Sequence, residues 1–129
     1  MTDAHSPEKR AVPLVAIISK IPILAEALVA ALEPSATVEH FPAGAPDTAG
    51  LVRYLQPDAL IADDDENLSE LEAVAREQQF VLLAVDLPDR TLRLLDHDGH
   101  WIDPPDRDPS AEVIRNIILA HLVTRKKNE

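Results

Sequence analysis

The chain alternates between short apolar runs and stretches in which apolar residues recur every three or four positions. The runs are rich in valine, isoleucine and leucine, which is typical of strands buried on both faces of a parallel sheet. The stretches between them have the period of helices that pack one face on a sheet. This alternation predicts an α/β fold with helices on both sheet faces. The predicted strands are 12–19, 36–41, 57–62, 80–85 and 100–103.

Local signals mark the starts of four helices. Pro22 stands in the first turn of one helix, where a missing N–H has no cost. Asp47 and Ser110 precede two others as N-caps, and Ser110 opens the last helix, Ala111 to Val123. Asn67 and Glu70 have the spacing of a variant capping box. We therefore expect helices at about 22–32, 48–55, 68–79 and 111–123.

The segment from Asp86 to Gly99 admits two interpretations. Residues 91–95 favour a short or irregular fourth helix before the fifth strand. The sequence from Asp96 to Gly99 is that of a turn, so residues 92–102 could instead form a hairpin. We prefer the helix, which predicts a three-layer, doubly wound, five-stranded parallel sheet of the flavodoxin-like order 2-1-3-4-5.

Composition limits the possible functions. The chain has 129 residues, no cysteine, 3% aromatic residues and a formal net charge of −11. The length fits one domain at 12–123, with a disordered tail at 1–11 and a charged tail or linker start at 124–129. The charge argues against direct nucleic-acid binding and membrane association, and no apolar run is as long as a membrane span. We expect a cytoplasmic protein.

The richest candidate for chemistry follows the third strand. Asp63, Asp64 and two further acidic residues come directly after the apolar run 59–62. Sites in open α/β sheets form beyond the carboxyl ends of strands. We therefore expect a functional site, if one exists, near Asp63.

Three segments together resemble the receiver domain of bacterial response regulators over about residues 12–123. Residues 18–28 resemble the family's first strand and helix, and 57–63 its third strand, with Asp63 at the phospho-accepting position. Residues 99–104 resemble the segment that ends in Lys-Pro. The resemblance implies a flavodoxin-like fold, signal transduction in a two-component system, and dimerisation through the face that contains the last helix.

The other functional positions of that family are changed in this chain. Ser19 and Lys20 replace the acidic pair that helps to hold Mg²⁺, Ala84 replaces a hydroxyl residue, and Asp103 replaces the active-site lysine. Phosphoryl transfer to a carboxylate needs positive charge to neutralise the incoming oxygens. We therefore expect a pseudo-receiver with no Mg²⁺ or other cofactor, no metal site and no enzymatic activity. Lys20 is either ion-paired with Asp63, which would lock the pocket, or solvated.

The last helix has an apolar band that is wide for a helix packed on one sheet face. We expect part of it to form a homodimer or partner face, consisting of Ile114, Ile118, Leu119 and Leu122. The partner would be a second copy, another signalling protein or an attached output domain. With a DNA-binding output domain, the chain would regulate transcription.

Three further hypotheses stay open. The chain could sense a small molecule in the crevice beside Ser19 and Asp63, or Asp63 could accept phosphate through an unusual metal site. His97 and His100 lie among aspartates, which permits a metal site, but their spacing matches no ligand motif and favours exposed turn residues.

Overall fold

The structure is a computed structural model that describes residues 12–33, 35–43, 47–63, 67–105 and 108–127, with side chains as far as Leu122. The predicted tail at 1–11 lies outside the described residues. The described elements, in chain order, are β1 (Leu14–Ser19), α1 (Pro22–Leu32), β2 (Thr37–Pro42), α2 (Thr48–Leu55), β3 (Ala59–Ala62), α3 (Leu68–Gln78), β4 (Val81–Asp86), β5 (Thr91–Leu95), β6 (Trp101–Ile102) and α4 (Ala111–Lys127).

The strands form one six-stranded mixed sheet in the order β2-β1-β3-β4-β5-β6. The first four strands run parallel. β5 is antiparallel to β4, and β6 is antiparallel to β5. The α/β class is therefore confirmed, whereas the predicted five-stranded parallel sheet of flavodoxin-like layout is wrong.

Helices cover the sheet on both faces. One face packs against α1 and α4 through a cluster that includes Ile17, Leu28 and Ile118, and we call it the α1/α4 face. The other packs against α2 and α3 through a cluster that includes Leu60 and Leu71, and we call it the α2/α3 face. Because side chains alternate along each strand, successive strand residues contribute to opposite clusters. This explains why β1 and β3, which are buried along their whole length, are almost continuous apolar runs.

The predicted short helix at 91–95 is wrong, because this segment is a strand. β5 and β6 form a hairpin, which was the alternative interpretation of residues 92–102, and Leu95 is paired with Trp101. The Asp96 carboxylate accepts hydrogen bonds from the backbone N–H groups of Asp98 and His100. Gly99 supplies the positive φ (86°) that the turn needs. The turn chemistry thus outweighs the helix propensity of the leucines that precede it.

Two predicted helix starts are confirmed by their caps. The Asp47 carboxylate accepts a hydrogen bond from Gly50 N–H at 3.1 Å, and the Ser110 hydroxyl accepts one from Val113 N–H at 3.2 Å. α4 continues to Lys127, beyond the predicted end at Val123. In the part of the chain that the structure describes, no helix is both long and apolar enough to cross a bilayer.

Candidate functional site

Asp63 and Ser19 meet at the carboxyl ends of neighbouring strands. The register pairs Ile18 with Ala62, which places the following residues, Ser19 and Asp63, opposite each other. Both are buried, with 5% of each residue exposed. The Ser19 hydroxyl lies 2.7 Å from Asp63 Oδ2. The structure therefore brings these two predicted pocket residues together at the edge of the sheet where the sequence predicts a site.

The hydroxyl of Ser19 has one proton and several neighbours. Its Oγ lies 2.7 Å from the carboxylate of Asp63 and 3.1 Å from the carbonyl oxygen of Ile21. A hydrogen bond to a charged acceptor is shorter and stronger than one to a neutral acceptor, so the proton points to Asp63. Oγ in turn accepts a hydrogen bond from Ile21 N–H at 3.0 Å. Ser19 thus links the end of β3 to the turn between β1 and α1.

The second carboxylate oxygen of Asp63 is also occupied. Asp63 Oδ1 accepts a hydrogen bond from the backbone N–H of Lys20 at 3.0 Å. This contact lies at the start of α1, whose N-cap residue Ile21 has no side-chain hydrogen bond to offer. A carboxylate at a helix N-terminus is favoured by the helix dipole. Asp63 therefore fixes the residue that precedes the N-cap of α1 and does not itself accept from the first N–H groups of the helix.

The structure distinguishes the two alternatives for the side chain of Lys20. Lys20 is exposed, and among the described residues its side chain forms no ion pair with Asp63; the contact is made by its backbone. The backbone N–H would be present whatever residue stood at this position. The alternative, in which the Lys20 ammonium extends into water, agrees with the exposure of this residue.

Two further predicted pocket residues, Ala84 and Asp103, lie apart from Asp63. Ala84 is paired with Ala62, and both side chains lie on the α2/α3 face, opposite the α1/α4 face to which Ser19 and Asp63 belong by alternation. Asp103 follows β6, which is three strand positions from β3, or about 14 Å at the usual strand spacing. The inserted strand β5 causes this separation. Asp64 lies outside the described residues.

Most of the predicted partner face of the last helix is buried within the chain, while association with a second copy or another protein stays a prediction. Ile114 and Ile118 have no exposed surface, and 8% of Leu122 is exposed. All three belong to the cluster on the α1/α4 face, and Leu119 packs against it. These side chains form core contacts within one chain and are not available to a second copy. The wide apolar band exists because α4 contacts both the sheet and α1.

A polar network that the sequence did not indicate lies on the α2/α3 face near the hairpin. The Glu72 carboxylate accepts hydrogen bonds from the Arg76 guanidinium (2.7 Å) and from Trp101 Nε1 (3.2 Å). The hydrogen bond from Arg76, with smaller contributions from Trp101 and the charge of Arg93, lowers the pKa of Glu72 despite its partial burial. The Arg93 guanidinium lies 4.7 Å from the centre of the Trp101 ring. Glu72 and Trp101 are 29 positions apart in the sequence, so no local pattern could have revealed their hydrogen bond.

Metal ligands do not converge in the part of the chain that is described, where no group of three or more His, Cys, Asp or Glu side chains is suited to hold an ion. His100 is exposed, and His97 Nε2 lies 3.9 Å from its neighbour Asp98. These histidines belong to the hairpin turn.

No family model, no curated protein and no solved structure gives a significant match to this chain. The fold defines the class: an α/β protein with a mixed six-stranded sheet and a buried, hydrogen-bonded carboxylate at its carboxyl edge. Its function has to be argued from that geometry.

Proposed function

We propose that this chain is a receiver-like signalling domain that acts by binding another protein and does not use Mg²⁺-dependent phosphorylation. A DNA-binding output domain, if joined to it, would make it a regulator of transcription. The receiver resemblance of the sequence and the observed state of Asp63 support this proposal together.

The observation that carries the proposal is the hydrogen bonding of Asp63. One carboxylate oxygen accepts from the Ser19 hydroxyl and the other from Lys20 N–H. A phospho-acceptor has to present an oxygen to the incoming phosphorus atom and share its site with a cation. Asp63 would first have to break a buried, charge-assisted hydrogen bond that also holds the β1–α1 turn. This makes it a poor nucleophile.

The surroundings of Asp63 supply little that phosphoryl transfer requires. Ser19 and Lys20 stand where carboxylates would ligate Mg²⁺, a cation that prefers oxygen ligands in octahedral geometry. The segment that would bring a cationic side chain next to Asp63 is replaced by the β5–β6 hairpin and ends in Asp103. Among the described residues, the cationic residue in contact with Asp63 is Lys20, whose exposed side chain is a weak counter-charge for the transition state.

Incubation with acetyl phosphate and Mg²⁺, followed by intact-mass spectrometry, tests the proposal. We expect no phosphoryl adduct on the wild-type chain and no change in melting temperature with beryllofluoride. A Lys20→Asp variant should behave in the same way, because restoring one ligand leaves the Asp63 hydrogen bonds and the distant Asp103 unchanged. An adduct that forms on the wild type and is lost in Asp63→Asn would overturn the proposal.

A further inference from the structure

On the α2/α3 face, the carboxyl edge of the sheet contains a hollow of about 140 Å³. It lies between the ends of β3 and β4, the start of β5 and the first turn of α3. Its walls include Ala62, Leu68, Ala84, Asp86, Thr91 and Arg93. The hollow is on the opposite sheet face from Ser19 and Asp63.

Two features of the sequence create this hollow. The floor is formed by Ala62 and Ala84, which are paired on neighbouring strands and have only a methyl group each. The chain then returns from β4 directly into β5 through a tight turn, so no helix follows β4 to cover this part of the sheet. The helix that does lie nearby, α3, reaches the hollow only through Leu68.

The chemistry of the walls is asymmetric. Thr91 is paired with Asp86, and Arg93 with Ala84, on the two antiparallel strands. The side chains of Asp86 and Arg93 are therefore diagonal neighbours on one sheet face, about 7–8 Å apart at their Cα atoms. They form no ion pair with each other among the described contacts. Asp86 Oδ1 accepts a hydrogen bond from Asp89 N–H at 3.1 Å, so Oδ2 is the oxygen that this wall offers to a cationic group. Arg93 supplies the cation of the other wall, and Thr91 lies beside them.

Arg93 is exposed, its charge acts on Glu72, and its guanidinium donors form no described hydrogen bond. Its guanidinium lies over the Trp101 ring at 4.7 Å, a stacking contact that leaves the N–H groups at the edge of the plane free. In contrast, the guanidiniums of Arg53, Arg76 and Arg90 are paired with carboxylates. In the described part of the chain, the Arg93 guanidinium has neither a hydrogen bond nor an ion pair. A planar fork of free donors suits a carboxylate.

We propose that the hollow binds a small zwitterion, a free amino acid, with its carboxylate on Arg93 and its ammonium group on Asp86. The net charge of −11 disfavours a purely anionic ligand, because the field of the whole protein repels it. A zwitterion has no net charge and matches both walls. The alanine floor and Leu68 would receive a short apolar side chain. This inference is independent of the proposed protein-binding function.

The test is a melting-temperature screen of the full chain against the twenty amino acids at millimolar concentration, followed by calorimetry on any compound that raises the melting temperature. We expect at least one apolar amino acid to bind. Its deaminated acid and its decarboxylated amine, which each lack one charge, should bind at least tenfold more weakly, because each leaves one wall charge unmatched.

Two variants and a control complete the design. Arg93→Gln should weaken binding roughly ten- to a hundredfold, and Ala84→Leu should abolish it by filling the hollow. Arg53→Gln, which changes an exposed arginine on α2, should bind as the wild type does. Circular dichroism checks the fold of each variant, and the ligand comparison stands even if Ala84→Leu unfolds. The proposal is overturned if no amino acid binds, if the deaminated acid binds equally well, or if Arg93→Gln binds as tightly as the wild type.

Discussion

At the scale of single residues, the most informative finding is that Asp63 has a structural role. A carboxylate following a buried strand is the pattern of a reactive group, yet here both oxygens accept hydrogen bonds within the chain. A buried polar group is costly unless it is paired. The pair formed with Ser19 meets this requirement and fixes the β1–α1 turn, so the two residues depend on each other.

Replacing Asp63 by alanine should lower the free energy of unfolding by about 2–3 kcal/mol, because the Ser19 hydroxyl and Lys20 N–H would lose their acceptor in a buried place. Asp63→Asn should cost less, since the amide oxygen can still accept one of the two hydrogen bonds. Urea unfolding at pH 7 measures both. Asp89→Ala, which changes an exposed aspartate, should stay within about 0.5 kcal/mol of the wild type. An equally small effect for Asp63→Ala would rule out the structural role.

The lowered pKa of Glu72 implies that the free energy of unfolding depends on pH. Its pKa is lower in the folded chain, chiefly because Arg76 donates a hydrogen bond to the carboxylate. The stabilisation is therefore complete above the pKa that Glu72 has in the unfolded chain, and is lost as pH falls through its folded pKa. Glu72→Gln should destabilise the protein at pH 7 by no more than about 1 kcal/mol, since the pair is partly exposed.

The difference between Glu72→Gln and the wild type should be smaller at a second, more acidic pH than at pH 7, because the stabilisation by the charge is lost as pH falls through the folded pKa of Glu72. Urea midpoints at both pH values provide the measurement. Glu77→Gln removes the partner of Arg53 in a more exposed pair, and we expect it to change the stability at pH 7 by less than about 0.5 kcal/mol. A Glu72→Gln difference that grows towards low pH would contradict the assigned direction of the pKa.

At the scale of elements, the sequence located the four helices and the first four strands because each has a clear period and a local start signal. It failed at 91–95, where five residues are too few to distinguish two periods. Leu92 and Leu94 are both buried and Arg93 between them is exposed, which is the alternation of a strand. The deciding contacts come from β4, with which this segment pairs.

The buried role of α4 predicts the effect of a charge in its apolar band. Ile118→Glu should destabilise the chain by more than about 3 kcal/mol or prevent folding, because Ile118 has no exposed surface and a buried charge without a partner is very costly. Asn116→Glu, on the exposed side of the same helix, should remain folded. Circular dichroism and urea unfolding distinguish the two. A stable, folded Ile118→Glu variant would restore this face as a candidate docking surface.

At the scale of the whole molecule, the two sheet edges are protected in different ways. β6 has two residues, and such short edges offer little to a partner strand. β2 is longer. The N–H groups of Thr37 and Ala43 donate hydrogen bonds towards β1, so by alternation the N–H positions of the even-numbered residues between them point to the open edge of the sheet. Pro42 is one of them and has no N–H to donate. The proline thus shortens the edge that a second chain could extend.

Pro42→Thr should therefore increase self-association, because it restores an N–H donor on the open edge of β2. Light scattering at tens of micromolar should show an average mass that rises with concentration above that of the wild type. Pro88→Thr, in the exposed turn between β4 and β5, should leave the mass unchanged. An equal mass for Pro42→Thr and the wild type would show that this edge is protected by other means.

The sequence by itself determined the α/β class, most element positions and the place of the buried carboxylate, because these depend on periodicity and on residues close together in the chain. The tertiary structure decided the direction of the last two strands, the burial of α4, the partners of Asp63 and the contact of Arg93 with Trp101. These depend on contacts between residues far apart in sequence, such as Ser19 and Asp63 at a separation of 44. Local sequence patterns do not indicate such pairings, because the strands come together only in the folded sheet.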